Sequence, residues 1–139
     1  MAKRTKCNEK RIALLNATLH LVNNNGFHDA PMSKIAKMAG VSPATIYIYF
    51  ENKQDLINKL YLETKTSFSD YAFKDYLTNL SVKNGFELIW RNIAHFKLNQ
   101  VEEAVFLSQC DNINTMIDEE SRQEGLKNLQ PLLRWLRAP

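Results

Sequence analysis

Two cysteines, four glycines and four prolines are few breaks and fewer staples for a chain of 139 residues. Cys7 and Cys110 are too sparse and too distant for a disulfide framework or a cysteine metal site, and they read as two reduced thiols. His20, His28 and His95 share no ligand spacing with each other or with the cysteines, so no metal is expected. No run approaches the roughly 18 apolar residues of a membrane span, and the start has no apolar signal core. No membrane partner and a cytoplasmic location are therefore expected. Nucleophile–base pairs, phosphate loops and paired catalytic carboxylates are also missing. Glu119, Glu120 and Glu124 read as a solvated helix face, no residue is assigned a catalytic role, and no enzyme is expected.

What is present is unevenly charged. Residues 1–60 hold nine Lys/Arg against four acids, a net of +5, whereas residues 61–139 hold nine against eleven, a net of −2. A basic first half beside a mildly acidic second half suits a polyanion-binding head on a body with another task. Alternating strand patterns are nearly absent, and apolar residues recur at three and four positions, which makes the chain all-α. There are no repeats and no low-complexity segments.

The first helix is expected from about Asn8 to Asn23, burying Ile12, Leu15, Leu19 and Val22 with Leu14, Ala17 and Leu21 beside them. Asn25 or Gly26 takes the left-handed turn that stops it. Met32 to about Ala39 forms a second helix after Pro31. Gly40 then occupies a tight turn where a β-carbon is expected to clash, and Val41 fills the angle. Ser42 caps a third helix with Pro43 in its first turn, running to about Phe50. Asn52 caps a fourth helix, which is expected to reach about Ser67. An irregular stretch over 69–81, a strong amphipathic helix over Val82–Asn99, a shorter one over Glu102–Cys110 and a last one over 118–137 complete the reading. Pro131 is expected to bend that last helix, whose stripe is Leu126, Leu129, Leu132, Leu133 and Leu136. Two domains follow, a helix-turn-helix head at 1–50 and a helical body at 51–139.

The third helix carries the functional reading. At about 100° per residue, Ile46 and Phe50 share one side, while Ala44 and Ile48 point the other way, flanked by Thr45 and Tyr47. An outward Ile is poor in water and good against thymine methyl groups, and Ala44 permits close approach to base edges. The Thr45 hydroxyl can donate to a base or a phosphate, and the Tyr47 and Tyr49 hydroxyls can reach phosphates from either side of the groove, although each tyrosine equally suits the edge of a core. Ser42 and Pro43 present a helix N-terminus. Lys53 and Ser33 are placed for backbone phosphates, and Lys3, Arg4 and Lys6 form a basic arm that can follow the backbone or enter the minor groove. Double-stranded DNA is the expected partner. In the body, Phe86, Trp90, Phe96 and Phe106 are candidates to line an apolar ligand cavity, or else plain core.

The string Ile35-Ala36-x-x-Ala39-Gly40-Val41-Ser42-x-x-Thr45-Ile46-Tyr47-x-Tyr49-Phe50-x-x-Lys53-x-x-Leu56 resembles the signature of tetracycline-repressor (TetR) family regulators. The resemblance is dense over about residues 10–60. It implies a three-helix head, a helical effector-binding and dimerising body, and operator contacts at Ser42, Pro43, Ala44, Thr45, Tyr47, Tyr49 and Lys53. It also implies a repressor on palindromic DNA that acts as a homodimer and is released by a small-molecule effector, with no cofactor. Ile48 stands where many relatives carry a polar or aromatic residue. Two further long helices, which pair in the family's dimer, have no counterpart before Pro139. The reading therefore keeps an alternative open: a shortened relative that partners a full-length regulator and binds DNA weakly.

Overall fold

The computed structural model describes residues 2–129, with side chains from Thr5 onward, and contains seven helices and no strand among them. They are α1 (Ala2–Asn25), α2 (Met32–Ala39), α3 (Pro43–Tyr49), α4 (Lys53–Ala72), α5 (Val82–Asn99), α6 (Val101–Asn112) and α7 (Glu119–Lys127). α1 packs on α2, α4 and α6, and α2 packs on α3. α4 packs in addition against α5, α6 and α7, so it serves as the common support of head and body.

Most boundaries follow local chemistry. Gly26, at φ +85°, closes α1 with its N–H on the Val22 carbonyl at 2.9 Å. Asn52 caps α4 by accepting the Asp55 N–H at 2.8 Å, and the Asp55 carboxylate returns to the Glu51 N–H at 2.9 Å. Ser81 caps α5 through the Asn84 N–H, so α5 spans the expected Val82–Asn99. Asp118 caps α7 by accepting the Ser121 N–H at 2.8 Å.

Several expectations need correction. α1 begins six residues earlier than Asn8, because Ala2 to Cys7 contains no Gly or Pro to stop it. The basic segment is thus the first turn and a half of α1. α4 runs to Ala72, not Ser67, since its first break is the turn after Phe73, where Asp75 adopts φ +63°. α6 is one residue longer at its start and two at its end than Glu102–Cys110. Gly40 is needed for a different reason from the one expected: an added β-carbon meets nothing within 4 Å, but φ is +73°. That left-handed conformation lets the Val41 N–H return to the Ala36 carbonyl at 3.0 Å. The last helix, expected over 118–137, ends at Lys127, with Asn128 as its C-cap and Leu129 in a turn, and Leu126 on it is exposed. Pro131, Leu132, Leu133 and Leu136 lie outside the described residues.

One buried cluster runs from Leu14 to Ile117 and crosses the 50/51 boundary without interruption. It joins Leu14, Val22, Ile35, Ile46 and Phe50 of the head to Phe96, Phe106 and Cys110 of the body. Ile12, placed on the inner stripe by periodicity, is exposed near the end of that cluster. Buried Thr18 and Thr64 satisfy their hydroxyls by donating to carbonyls one turn back, Leu14 and Leu60, at 2.7 Å each. No buried side-chain polar atom among the described residues lacks a partner. No helix among the described residues is long and apolar enough to cross a membrane.

Candidate nucleic-acid interface

The outer face of α3 is built by what its inner face buries. Ile46 is 0% exposed and Phe50 1% exposed, and together they fix the helix's rotation on the core. Ile48, two positions from Ile46, is therefore driven outward at 78% exposed, with Tyr47 at 55%. Ser42, Pro43 and Ala44 are exposed beside them. Residues so apolar on a rigid outward face cost hydration unless something covers them.

The cap ties this face down. Ser42 Oγ accepts the Thr45 N–H at 3.2 Å and also lies 2.7 Å from Thr45 Oγ1. The Thr45 hydroxyl is thus already engaged, and any contact it makes elsewhere must share or replace Ser42. Tyr49 differs from Tyr47: it is half-buried and packs against the core cluster. Desolvation first, then a hydrogen bond and charge interaction with Cys7, raise the Tyr49 phenol above its ordinary value. The early start of α1 is what brings Cys7 to the end of α3.

Lys53 sits at the first position of α4. Its Nζ donates to the Phe27 carbonyl and lies 4.4 Å from the centroid of the Phe27 ring. Desolvation lowers its pKa, against the opposing charge of Asp29. A phosphate must therefore compete with a built-in acceptor for this ammonium. Ser33 is exposed on α2, together with Lys34 and Lys37, which sequence reasoning did not single out because an isolated lysine carries no pattern. Lys6 is exposed on the first turns of α1; the side chains of Lys3 and Arg4 lie outside the described residues.

The body holds a separate cleft of about 450 Å³ between α4, α5 and α6. Phe68, Phe96 and Leu107 belong to its apolar lining, Lys65 and Lys97 supply two cations, and Asp111 one acid. Phe68 and Tyr71 each meet Phe96 edge-on, at 5.2 and 5.4 Å between centroids. Of the four aromatics expected around a cavity, Phe96 lines this cleft. Phe106 is wholly buried in the core, and Phe86 and Trp90 are 54% and 66% exposed. The four are not gathered around one space. No group of His, Cys, Asp and Glu able to hold a metal occurs among the described residues.

Two short helices joined by a left-handed glycine, the second capped and presenting uncharged groups outward, define a helix-turn-helix protein. Residues 14–60 match the family described as bacterial regulatory proteins, tetR family. That match spans 47 of the 139 residues, those of the helix-turn-helix head and the start of α4. It is 30% identical over 123 residues to the fatty acid metabolism regulator protein of Bacillus subtilis, an alignment covering 88% of this chain and 58% of that protein. Its fold superposes on a TetR family transcription regulator from Marinobacter aquaeolei with a TM-score of 0.85 and 27% identity, over 98% of this chain and 70% of that one. It is also similar to the B. subtilis regulator FadR solved in complex with stearoyl-CoA, with a TM-score of 0.68 and 28% identity, over 90% of this chain and 66% of that one. The chain thus spans between a little over half and about two thirds of the length of these relatives.

Proposed function

We propose that the protein is a TetR-type transcriptional regulator, acting as a repressor that binds palindromic operator DNA as a homodimer. α3 lies in the major groove, with Ala44, Thr45, Tyr47 and Ile48 toward base edges and Ser33, Ser42, Pro43, Tyr49, Lys53 and Lys6 toward the backbone. The observation that carries this reading is the opposition on one short helix of buried Ile46 and exposed Ile48. A partner-only role gives that outward face no use. Operator binding also places the protein in the cytoplasm.

The effector is a small amphiphile held in the α4–α6 cleft, and the class the cleft suits is a long-chain acyl thioester. Apolar side chains receive the acyl chain, and Lys65 and Lys97 receive an anionic head. The stearoyl-CoA bound by a relative supports that class. Release from DNA requires only that the ligand favour the non-binding arrangement.

Selection of bound duplexes from a random pool, followed by fluorescence anisotropy with and without stearoyl-CoA, tests both parts. A palindromic motif is expected, with affinity that falls when stearoyl-CoA, but not CoA alone, is added. Failure to enrich any sequence would overturn the DNA reading. Enrichment with no response to stearoyl-CoA would overturn only the effector class. Lys53→Ala is expected to reduce the log–log salt slope by about 0.9, the contribution of one phosphate, with sequence preference unchanged. An unchanged slope would mean that Lys53 stays on the Phe27 carbonyl.

A further inference from the structure

Two polar contacts between the head and α6 meet on one side chain. Asn23, in the last turns of α1, donates its amide to the Glu102 carbonyl at 2.8 Å. Its own Oδ1 accepts from Gln109 Nε2 at 3.3 Å. Glu102 and Gln109 stand two helical turns apart on the same side of α6, so one amide holds that helix at both ends of a two-turn span. Beside it, His20 Nδ1 lies 3.3 Å from Glu102 Oε1, and Asn24 anchors this turn of α1 by donating to the His20 carbonyl at 2.7 Å.

The neighbouring face of α6 is the wall of the cleft, through Val101, Val105 and Ser108. α1, in turn, packs on α2, which carries α3. A displacement of α6 therefore reaches α1 through groups whose hydrogen bonds depend on direction. A purely apolar contact would tolerate sliding; an amide bonded at two points on one helix does not.

We infer that Asn23 is the positioning residue that makes the cleft wall and the DNA-reading head move as one body. The inference rests on the DNA-binding reading above and adds the route by which the cleft regulates it. Asn23 touches neither DNA nor the cleft lining; it acts through α6 and α1.

Hydrogen exchange on the 139-residue chain, with and without a duplex selected from the random pool, tests this. In the unsubstituted protein, duplex binding is expected to slow exchange at the amides of residues 101–112, far from the DNA, by roughly fivefold or more. In Asn23→Ala the slowing at 101–112 is expected to fall within about twofold of none, while protection of residues 32–50 persists. A merely structural role would speed exchange in both states equally and leave the DNA-induced difference intact; that result overturns the inference. Gln109→Met removes one of the two contacts at a half-buried edge, and an intermediate loss is expected. If Asn23→Ala fails to fold, this variant decides the matter, and a full DNA response in it overturns the inference. A chain that binds DNA but shows no response at 101–112 overturns the clamp alone. A chain that binds no DNA overturns the functional reading, and the clamp with it.

Discussion

Among the large apolar side chains that reach solvent, two groups bear on function, one on α3 of the head and one along α5 and α6 of the body. In the head, Tyr47 and Ile48 stand on a seven-residue helix held by a Ser cap, a glycine turn and two fully buried anchors. In the body, Trp90 and Leu98 are exposed on α5 and Val101 and Val105 on α6, and only the latter two line the cleft. The head fixes the rotation of each exposed group to within one side-chain direction. The body supplies area and a shape. The first arrangement suits the reading of base edges, where a misplaced group is a wrong contact. The second suits an adaptable apolar ligand.

The comparison breaks most visibly at the anchors. Ile46→Ala is expected to cost about 2–5 kcal/mol of unfolding free energy in chemical denaturation, because it removes a fully buried side chain. Ile48→Ala, two residues away and exposed, is expected to leave stability within about 0.5 kcal/mol. It should instead abolish any preference for thymine over deoxyuridine in the selected duplex. Equal stability losses at the two positions would show that α3 is not rotated as described.

Close packing in the body gives the next effect. A β-carbon on Gly125 would lie 2.9 Å from the buried Tyr61 ring, where α7 crosses α4. Overpacking of this kind costs about 1–3 kcal/mol, against about 1 kcal/mol gained in helix propensity. Gly125→Ala is expected to lower the melting temperature, and a rise would show that Tyr61 has room to move.

The two caps sharpen the contrast between head and body. Ser42→Ala and Asp118→Ala are each expected to cost about 1 kcal/mol at neutral pH. They should part company in acid. The Asp118 carboxyl is held below its ordinary range, first by the Ser121 backbone N–H, then by the Ser121 side chain and by Asn58. A depressed carboxyl stabilises the fold above its unfolded pKa and loses that contribution as pH falls through its folded value. The cost of Asp118→Ala should therefore shrink below about pH 4, while that of Ser42→Ala should not. Denaturation at neutral and acid pH checks it; parallel behaviour would remove the charge from the α7 cap.

The smallest effect concerns the thiols. Cys110 is wholly buried, and burial, then the nearby Asp111 charge, push its thiol up to about 12. Native alkylation at neutral pH is expected to modify exposed Cys7 and spare Cys110 until the protein unfolds. Rapid double modification would mean that the core around α6 opens readily.

The head was the more legible of the two regions because its signals are local. Ser42-Pro43, and Asn52 at the junction, each determine a helix start within three or four residues, and periodicity alone put Ile46 inside and Ile48 outside. The cleft was not legible in the same way. α5 carries two adjacent apolar rows, one through Ile89 and Phe96 and one through Phe86 and Trp90, and periodicity cannot say which row faces a neighbour. The neighbour decides: α4 and α6 cover Phe96, and Trp90 is left outward. Lys53 shows the converse limit. Its position was evident, but its bond to the Phe27 carbonyl, 26 residues back, depends on how the α1–α2 loop lies.

The unbroken cluster from Leu14 to Ile117 bears on how such proteins can be recombined. A chimaera that grafts this head onto another body at residue 50 would take α1 without the α4 and α6 surfaces it packs against. Swapped operator specificity should therefore travel best with a shorter cassette, the outward residues of α3 alone, transplanted onto a scaffold that keeps its own α1 and α4.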